Sequence, residues 1–153
     1  MVQEVINAIT LGILGHLSGA LGFYFNHRFV MHGKLGKLFL LKRIKRLHAI
    51  HHAHPYDQLR NQYLIIPIWG KILMALLIGV LSLLSFFYAM GVLSFFLLYG
   101  YRHYRIHNQD RKSHFYYHHH YHHKYDFSYN YSGVYPSIDK IFKTYVQTKF
   151  SNK

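Results

Sequence analysis

Two long apolar stretches set the plan of the chain. Residues 5–25 contain no charged side chain, and as a helix they reach about 30 Å, enough to cross a bilayer. Gly12, Gly15, Ser18, Gly19 and Gly22 fall within them. Such residues weaken a helix in water but let membrane helices approach closely. Without a basic segment ahead of it, the stretch reads as a membrane span in preference to a signal peptide. The second stretch, residues 63–101, is broken mainly by Lys71. One straight helix of that length reaches nearly 60 Å, about twice the hydrocarbon thickness. The pattern therefore predicts two short spans, about 70–88 and 92–108, with a turn near Ala89-Met90-Gly91 and tilt or shallow re-entry to match the bilayer. Trp69, Lys71 and Tyr101 are candidate interfacial anchors.

The polar segments are 27–62 and 102–153. Leu35, Leu38, Leu40 and Leu41, set among lysines, predict an amphipathic stretch lying at the interface. Three crossings put both polar segments on one side, with all histidines except His16. The N-terminus and the 89–91 turn, which lack Lys and Arg, fall on the other side. The positive-inside rule then places the histidine side in the cytoplasm. The expected architecture is all-α: a single domain over 1–153, with multi-pass membrane helices and a cytosolic helical cap.

Composition agrees with this picture. The chain has 51% hydrophobic and 15% charged residues, less charge than a soluble domain usually carries. Its formal net charge is +13 with five acidic residues. Membrane orientation accounts for much of that excess, which leaves nucleic-acid binding a weak reading. Cysteine is absent, so disulfides, iron–sulfur clusters and thiolate zinc sites are excluded.

Histidine carries the candidate chemistry. There are fifteen, and ten of them form sets: His27 and His32; His48, His51 and His52; His103 and His107; His119, His122 and His123. Imidazole is a common ligand for transition metals. On a helix, His103 and His107 share a face. In His48-x2-His51-His52, the second and third rings flank the first, so neighbours His51 and His52 can serve two ions, and His119-x2-His122-His123 repeats this. His27 and His32, five apart, suit one face of a regular helix poorly; they straddle the end of the first span or serve different ions. The ten rings provide about five nitrogens for each of two ions. That is more than closed structural zinc takes and suits iron better, although ligand type alone does not name the metal. His54, His114, His118 and His120 read as hydrogen-bonded surface residues. His16, inside the first span, is either a functional candidate or a satisfied packing residue. Asp57, Asp110, Asp126 and Asp139 do not form the Glu-x-x-His pairs of soluble di-iron bundles.

The ordered histidine sets resemble the signature of the fatty acid hydroxylase/sterol desaturase superfamily, over about residues 24–145. His51-His52-Ala53-His54-Pro55-Tyr56-Asp57-Gln58-Leu59-Arg60 is similar to the HHxxPxDxxR stretch of fatty acid 2-hydroxylases. Tyr99-x3-His103-Tyr104-x2-His107 resembles their YDxxHYxxHH, and Ser132 to Thr144 resembles their GVTSPxWDxxFGT. Asn108, Gly100 and Ile138 stand where that pattern has His, Asp and Trp, and one span precedes the first set where the superfamily usually has four in all. His27-Arg28-Phe29-Val30-Met31-His32-Gly33 is also similar to the HxxxMHG of bacterial carotenoid hydroxylases.

The resemblance implies a membrane di-iron monooxygenase that uses O2 to hydroxylate a lipid, first of all a fatty acyl chain. Its metal ligands would be the ten histidines, with no catalytic residue apart from them, and zinc is an alternative occupant. With no attached cytochrome b5 domain, electrons would come from a separate protein such as a cytochrome b5 or ferredoxin. Asp57 and Asp139 are expected to support the ligands or the fold, and Tyr104, Tyr116, Tyr121 and Tyr125 to donate hydrogen bonds to ligands or to sit at the interface. The alternatives are a carotenoid or sterol hydroxylase or desaturase of the same superfamily, or a non-catalytic metal-binding membrane protein.

Overall fold

The structure is a computed structural model that describes residues 1–55, 68–108 and 113–147. Asp57, Arg60 and Asp110 lie outside the described residues. All secondary structure among the described residues is helical. Helix α1 (Val2–Phe25) runs directly into a π-helical turn (Asn26–Met31), followed by a 3-10 turn (Leu35–Lys37) and α2 (Lys42–Ala53). Then come α3 (Ile68–Leu84), α4 (Phe86–Asn108), α5 (His114–Lys124) and the short α6 (Pro136–Ile141).

Helices α1 and α4 form the main contact, and small residues make it possible. A Cβ on Gly15 would strike the Tyr88 carbonyl oxygen, and one on Gly91 would strike that of Gly12. Backbone thus meets backbone, the close approach that glycine permits between membrane helices. On the same face of α1, Gly19 receives the Phe95 ring. His16 joins this contact. Its Nδ1 lies 2.7 Å from Ser94 Oγ and its Nε2 2.7 Å from the Tyr135 hydroxyl. His16 is therefore a satisfied hydrogen-bonding partner between two helices and the C-terminal segment.

The expected reversal at Ala89-Met90-Gly91 lies instead at Ser85, the single residue between α3 and α4. Ala89 and Gly91 are buried within α4, used for packing. Ser85 Oγ accepts from the Tyr88 N–H at 3.4 Å, a cap at the start of α4. The chain does turn back here. Trp69 at the start of α3 lies under the Arg43 guanidinium of α2 at 5.0 Å, and His107 near the end of α4 donates to the Pro55 carbonyl just beyond α2. Helix α2 is only about 18 Å long, whereas α3 and α4 laid end to end would reach about 60 Å.

Val2–Met31, 30 residues, is the one helix among the described residues long and apolar enough to cross a membrane. Ile68–Leu84 is a shorter apolar helix, and α4 carries Arg102 and Arg105 in its final turns. Much apolar surface faces outward. Val5, Ile9, Ile13 and Leu17 of α1 are exposed, and α3 buries no residue at all.

The buried core lies where the C-terminal segment closes over the α1–α4 pair. Ala20, Phe23 and Tyr24 of α1 and Phe95 of α4 meet Tyr131, Val134 and Ile138. Phe23 lies 4.1 Å from the Tyr99 ring and Tyr24 stacks on Phe142 at 4.8 Å. Gly133, at φ +63°, turns the chain beneath Tyr99, where a side chain would be strained. Ile138, which stands where the similar 2-hydroxylase pattern has tryptophan, is part of this core.

Gly91→Leu should destabilise the folded protein by about 1–3 kcal/mol or more, because rigid backbone faces the new side chain. Gly79→Leu, in open space, should cost nothing of the kind. Thermal unfolding of the two variants in the same detergent separates these outcomes.

Candidate metal centre

Four helical pieces deliver the ten histidines, and each delivers them in a register that local structure explains. In α2, His48 and His52 are one turn apart and face one way, while His51 lies to the other side. In α5, His119 and His123 form the one-turn pair and His122 diverges. Ser113 starts α5 by accepting from the Tyr116 N–H at 3.1 Å. His103 and His107 form the corresponding pair in α4. His27 and His32 are five apart, and the chain winds there as a π-helix in which the His32 N–H donates to the His27 carbonyl at 3.1 Å. A π-turn brings residues five apart onto one face. The two rings therefore point together; they neither straddle the helix end nor separate.

The result is two groups of five imidazoles. His27, His32, His48, His52 and His122 form one; His51, His103, His107, His119 and His123 form the other. Within each group, one nitrogen per ring lies within 4.8 Å of all the others. The groups share a pattern. The π-turn gives the first group a pair, α2 a pair and α5 one ring; α4 gives the second group a pair, α5 a pair and α2 one ring. They touch where His52 and His123 stack with centroids 4.1 Å apart. All ten sequence-predicted site residues are thus brought together.

The nitrogen spacings test whether a metal fits. In the first group His48 Nε2 lies 3.0, 2.8 and 2.9 Å from the Nε2 atoms of His27, His32 and His52, and His122 Nε2 lies 3.1 Å from that of His32. In the second, His107 Nε2 lies 3.2 and 3.1 Å from those of His103 and His119, and His123 Nε2 lies 3.0 Å from that of His119. Metal–imidazole bonds of about 2.1 Å at right angles separate neighbouring nitrogens by about 3.0 Å, against about 3.4 Å for a tetrahedron. The observed spacings match the edges of a five- or six-coordinate site. No carboxylate belongs to either group among the described residues, so the donors are neutral imidazoles.

Hydrogen bonds fix which nitrogen faces inward. His27 Nδ1 is 2.6 Å from the Tyr131 carbonyl, His122 Nδ1 2.7 Å from that of Tyr129, and His107 Nδ1 2.7 Å from that of Pro55. A carbonyl only accepts, so each Nδ1 carries the proton and leaves its Nε2 lone pair for the cluster. Backbone carbonyls thus take the ligand-supporting role, one of the two expectations for Tyr104, Tyr116, Tyr121 and Tyr125. Tyr104 and Tyr125 are exposed, and Tyr116 stacks on His120.

Charge state follows from the surroundings. Burial holds His52 down to about 2, helped by neighbouring rings, and His122 down to about 3. Burial and then Lys45 bring His32 to about 4. Burial also pushes His48, His119 and His123 well below the ordinary value. These rings remain neutral, the form that binds metal.

His118 departs from its expected surface role. It is 1% exposed, and its Nε2 donates to Asp139 Oδ2 at 3.1 Å. Asp139 is fully buried and also accepts from the Tyr131 and Ser132 N–H groups and the Thr144 hydroxyl. Burial alone would raise its carboxyl; the hydrogen bonds from His118 and Ser132 outweigh this and hold it below the usual range. Asn108 turns its amide to the Tyr104 carbonyl at 2.9 Å, and the second group holds five histidines without it.

The family comparison can now be set beside this geometry. The family model described as Fatty acid hydroxylase matches residues 12–144. The chain belongs to the fatty acid hydroxylase family. The match includes all ten clustered histidines and the Asp139 segment. No curated protein and no solved structure matches the chain. Membership supports an oxidoreductase of a metal-dependent, membrane-associated family, and the paired histidine groups suit such a centre.

Metal binding should be unusually tolerant of acid. Exposed imidazoles begin to lose metal to protons below about pH 6.5. Here the folded values are lowered, so protons compete only as pH falls towards the value of about 4 at His32. Chelator competition from pH 8 to 4 should show affinity nearly flat to about pH 5. A loss beginning at 6.5 and steepening with each ligand would contradict the buried cage.

Proposed function

We propose that this protein is a membrane-bound, O2-dependent di-iron oxidoreductase that hydroxylates a lipid, most directly a fatty acyl chain. The supporting observation is the meeting of ten histidines from distant parts of the chain in two adjoining groups of five nitrogens, in a chain of the fatty acid hydroxylase family. Two irons, when bound by His27, His32, His48, His52 and His122 and by His51, His103, His107, His119 and His123, supply the activation of dioxygen that an unactivated C–H bond requires.

The chain's own residues do the rest. The Tyr129, Tyr131 and Pro55 carbonyls hold three ligand rings in one tautomer and orientation. The Phe23, Tyr24, Phe95 and Tyr131 packing closes the first group off from water on the side of the helix pair. The α1, α3 and α4 helices serve as three crossings, with the histidine cap on the cytoplasmic face. Both polar segments contribute to the same groups, as that topology requires. The cap sits directly at the end of α1, so an acyl chain reaches it from the bilayer without entering water. The similarity of residues 51–60 and 132–144 to the 2-hydroxylases favours an acyl substrate. Hydroxylation inserts one oxygen atom and reduces the other to water. It therefore consumes two electrons and two protons per turnover, supplied by a separate electron-transfer protein such as a cytochrome b5 or ferredoxin.

Purified protein should carry about two metal ions per chain and consume O2 when given reductant and lipid. Lipid mass spectrometry should then show a gain of one oxygen; loss of two hydrogens would mark desaturation instead. His48→Ala removes the central nitrogen of one group, so it should cut turnover by more than the roughly 10–100-fold that loss of an outer hydrogen-bond partner costs. Protein fully loaded with iron that consumes no O2 under these conditions would leave a metal-binding protein without catalysis.

A further inference from the structure

The two histidine groups share one plan but differ in what stands behind them. Behind the first, His27 and His122 donate through Nδ1 to the carbonyls of Tyr131 and Tyr129. Both carbonyls belong to one stretch of backbone, residues 129–132, and that stretch is clamped. Asp139 Oδ1 accepts from the Tyr131 N–H at 2.8 Å, and Oδ2 accepts from the Ser132 N–H at 3.0 Å. Asn130, held at φ 57°, ties the same stretch to the His118 and Val146 carbonyls. Behind the second group, His107 donates to Pro55; among the described residues the buried Nδ1 atoms of His119 and His123, like that of His52 in the first group, meet no hydrogen-bond partner.

We propose that Asp139 is a positioning residue for the first histidine group alone, acting through the Tyr131 peptide on His27 and through the adjoining backbone on His122. The path is short and continuous. The carboxylate takes the peptide N–H on one side of Tyr131, and the carbonyl on the other side orients the His27 ring. Four donors converge on Asp139: the Tyr131 and Ser132 N–H groups, His118 Nε2 and the Thr144 hydroxyl. Only an ionised carboxylate accepts them all. The amide of Asn offers one acceptor oxygen and brings two donors of its own, so the 129–132 backbone must shift and carry with it the Tyr131 carbonyl that holds His27. The second group takes its orientation from α4, α5 and Pro55. Asp139 reaches α5 only through His118, whose ring belongs to neither group, whereas it reaches the first group through the carbonyls that hold two of its rings. This assignment rests on the two groups being metal sites.

The test is cobalt(II) titration of the full-length protein in detergent, followed by visible absorption and chelator competition. Wild type should bind two equivalents. His27→Gln and His107→Gln each perturb one group and so provide the spectral signature of each. Asp139→Asn should weaken the equivalent marked by His27→Gln about 10–100-fold and leave the other within about twofold. The retained equivalent shows that the variant is folded. Thr144→Val removes one of the four donors and keeps the charge, so it should shift the same equivalent by a smaller factor. Equal weakening of both equivalents, an effect confined to the His107→Gln signature, or no effect in either variant would overturn the assignment. Wild-type protein that binds no cobalt would instead overturn the metal reading on which it rests.

Discussion

His48 Nε2 stands within 3.0 Å of three other imidazole nitrogens, and one neutral ring cannot satisfy them all. It presents there either one proton or one lone pair, so at most one of the three approaches is a well-formed hydrogen bond and the others are left in conflict. His27 cannot relieve the conflict, because its own proton is held on Nδ1 by the Tyr131 carbonyl. Protonation offers no escape either. Burial opposes the charged form, and each added proton repels the next ring. A cation between the rings turns every one of these repulsions into a bond. The rest of the fold serves to hold that otherwise unfavourable arrangement in place.

Three features hold it. The α1–α4 contact sets the distance between the π-turn at the end of α1 and the His103–His107 pair on α4. Its glycines at 15 and 91 leave no side chain to act as a compressible layer. The π-turn supplies the winding needed for His27 and His32 to share a face. The C-terminal segment then locks over the pair through Tyr131, Val134 and Ile138, with Arg102 donating to the Val134 carbonyl and His16 reaching Tyr135. The same segment supplies the carbonyls that orient His27 and His122, so closing the core and aiming the ligands are one event.

Much of this was legible in the residues. Spacing separates His51 from His52 because helix geometry fixes the angle between adjacent side chains, and the structure assigns them to different groups. The small residues of α1 signal a close helix contact, which they make. The reversal was misplaced because Gly91 reads equally as a turn former and as a packing residue. The pattern held no sign that α1 needed it for packing. The shared face of His27 and His32 was hidden for a related reason. A π-turn has no composition of its own, and regular helix arithmetic sets the two rings apart. The Tyr129, Tyr131 and Pro55 carbonyls were beyond reach altogether, since a backbone acceptor looks the same at every position. His118 was misread as a surface residue because its partner, Asp139, is twenty-one positions away.

The exchange of roles between α2 and α5 ties the two groups together. Each helix gives a one-turn pair to one group and a single ring to the other, so neither can move to suit one group without disturbing both. The stacked His52 and His123 rings lie at that crossing. A shift in α2 would be felt by three rings in opposite senses. The shared helices therefore fix the spacing of the two groups, while the separate supports, the π-turn for one and α4 for the other, leave each group its own outer environment. A pair of sites built this way is matched in ligands yet open to independent tuning, and the 129–132 backbone behind the first group is where this chain's sequence provides for that difference.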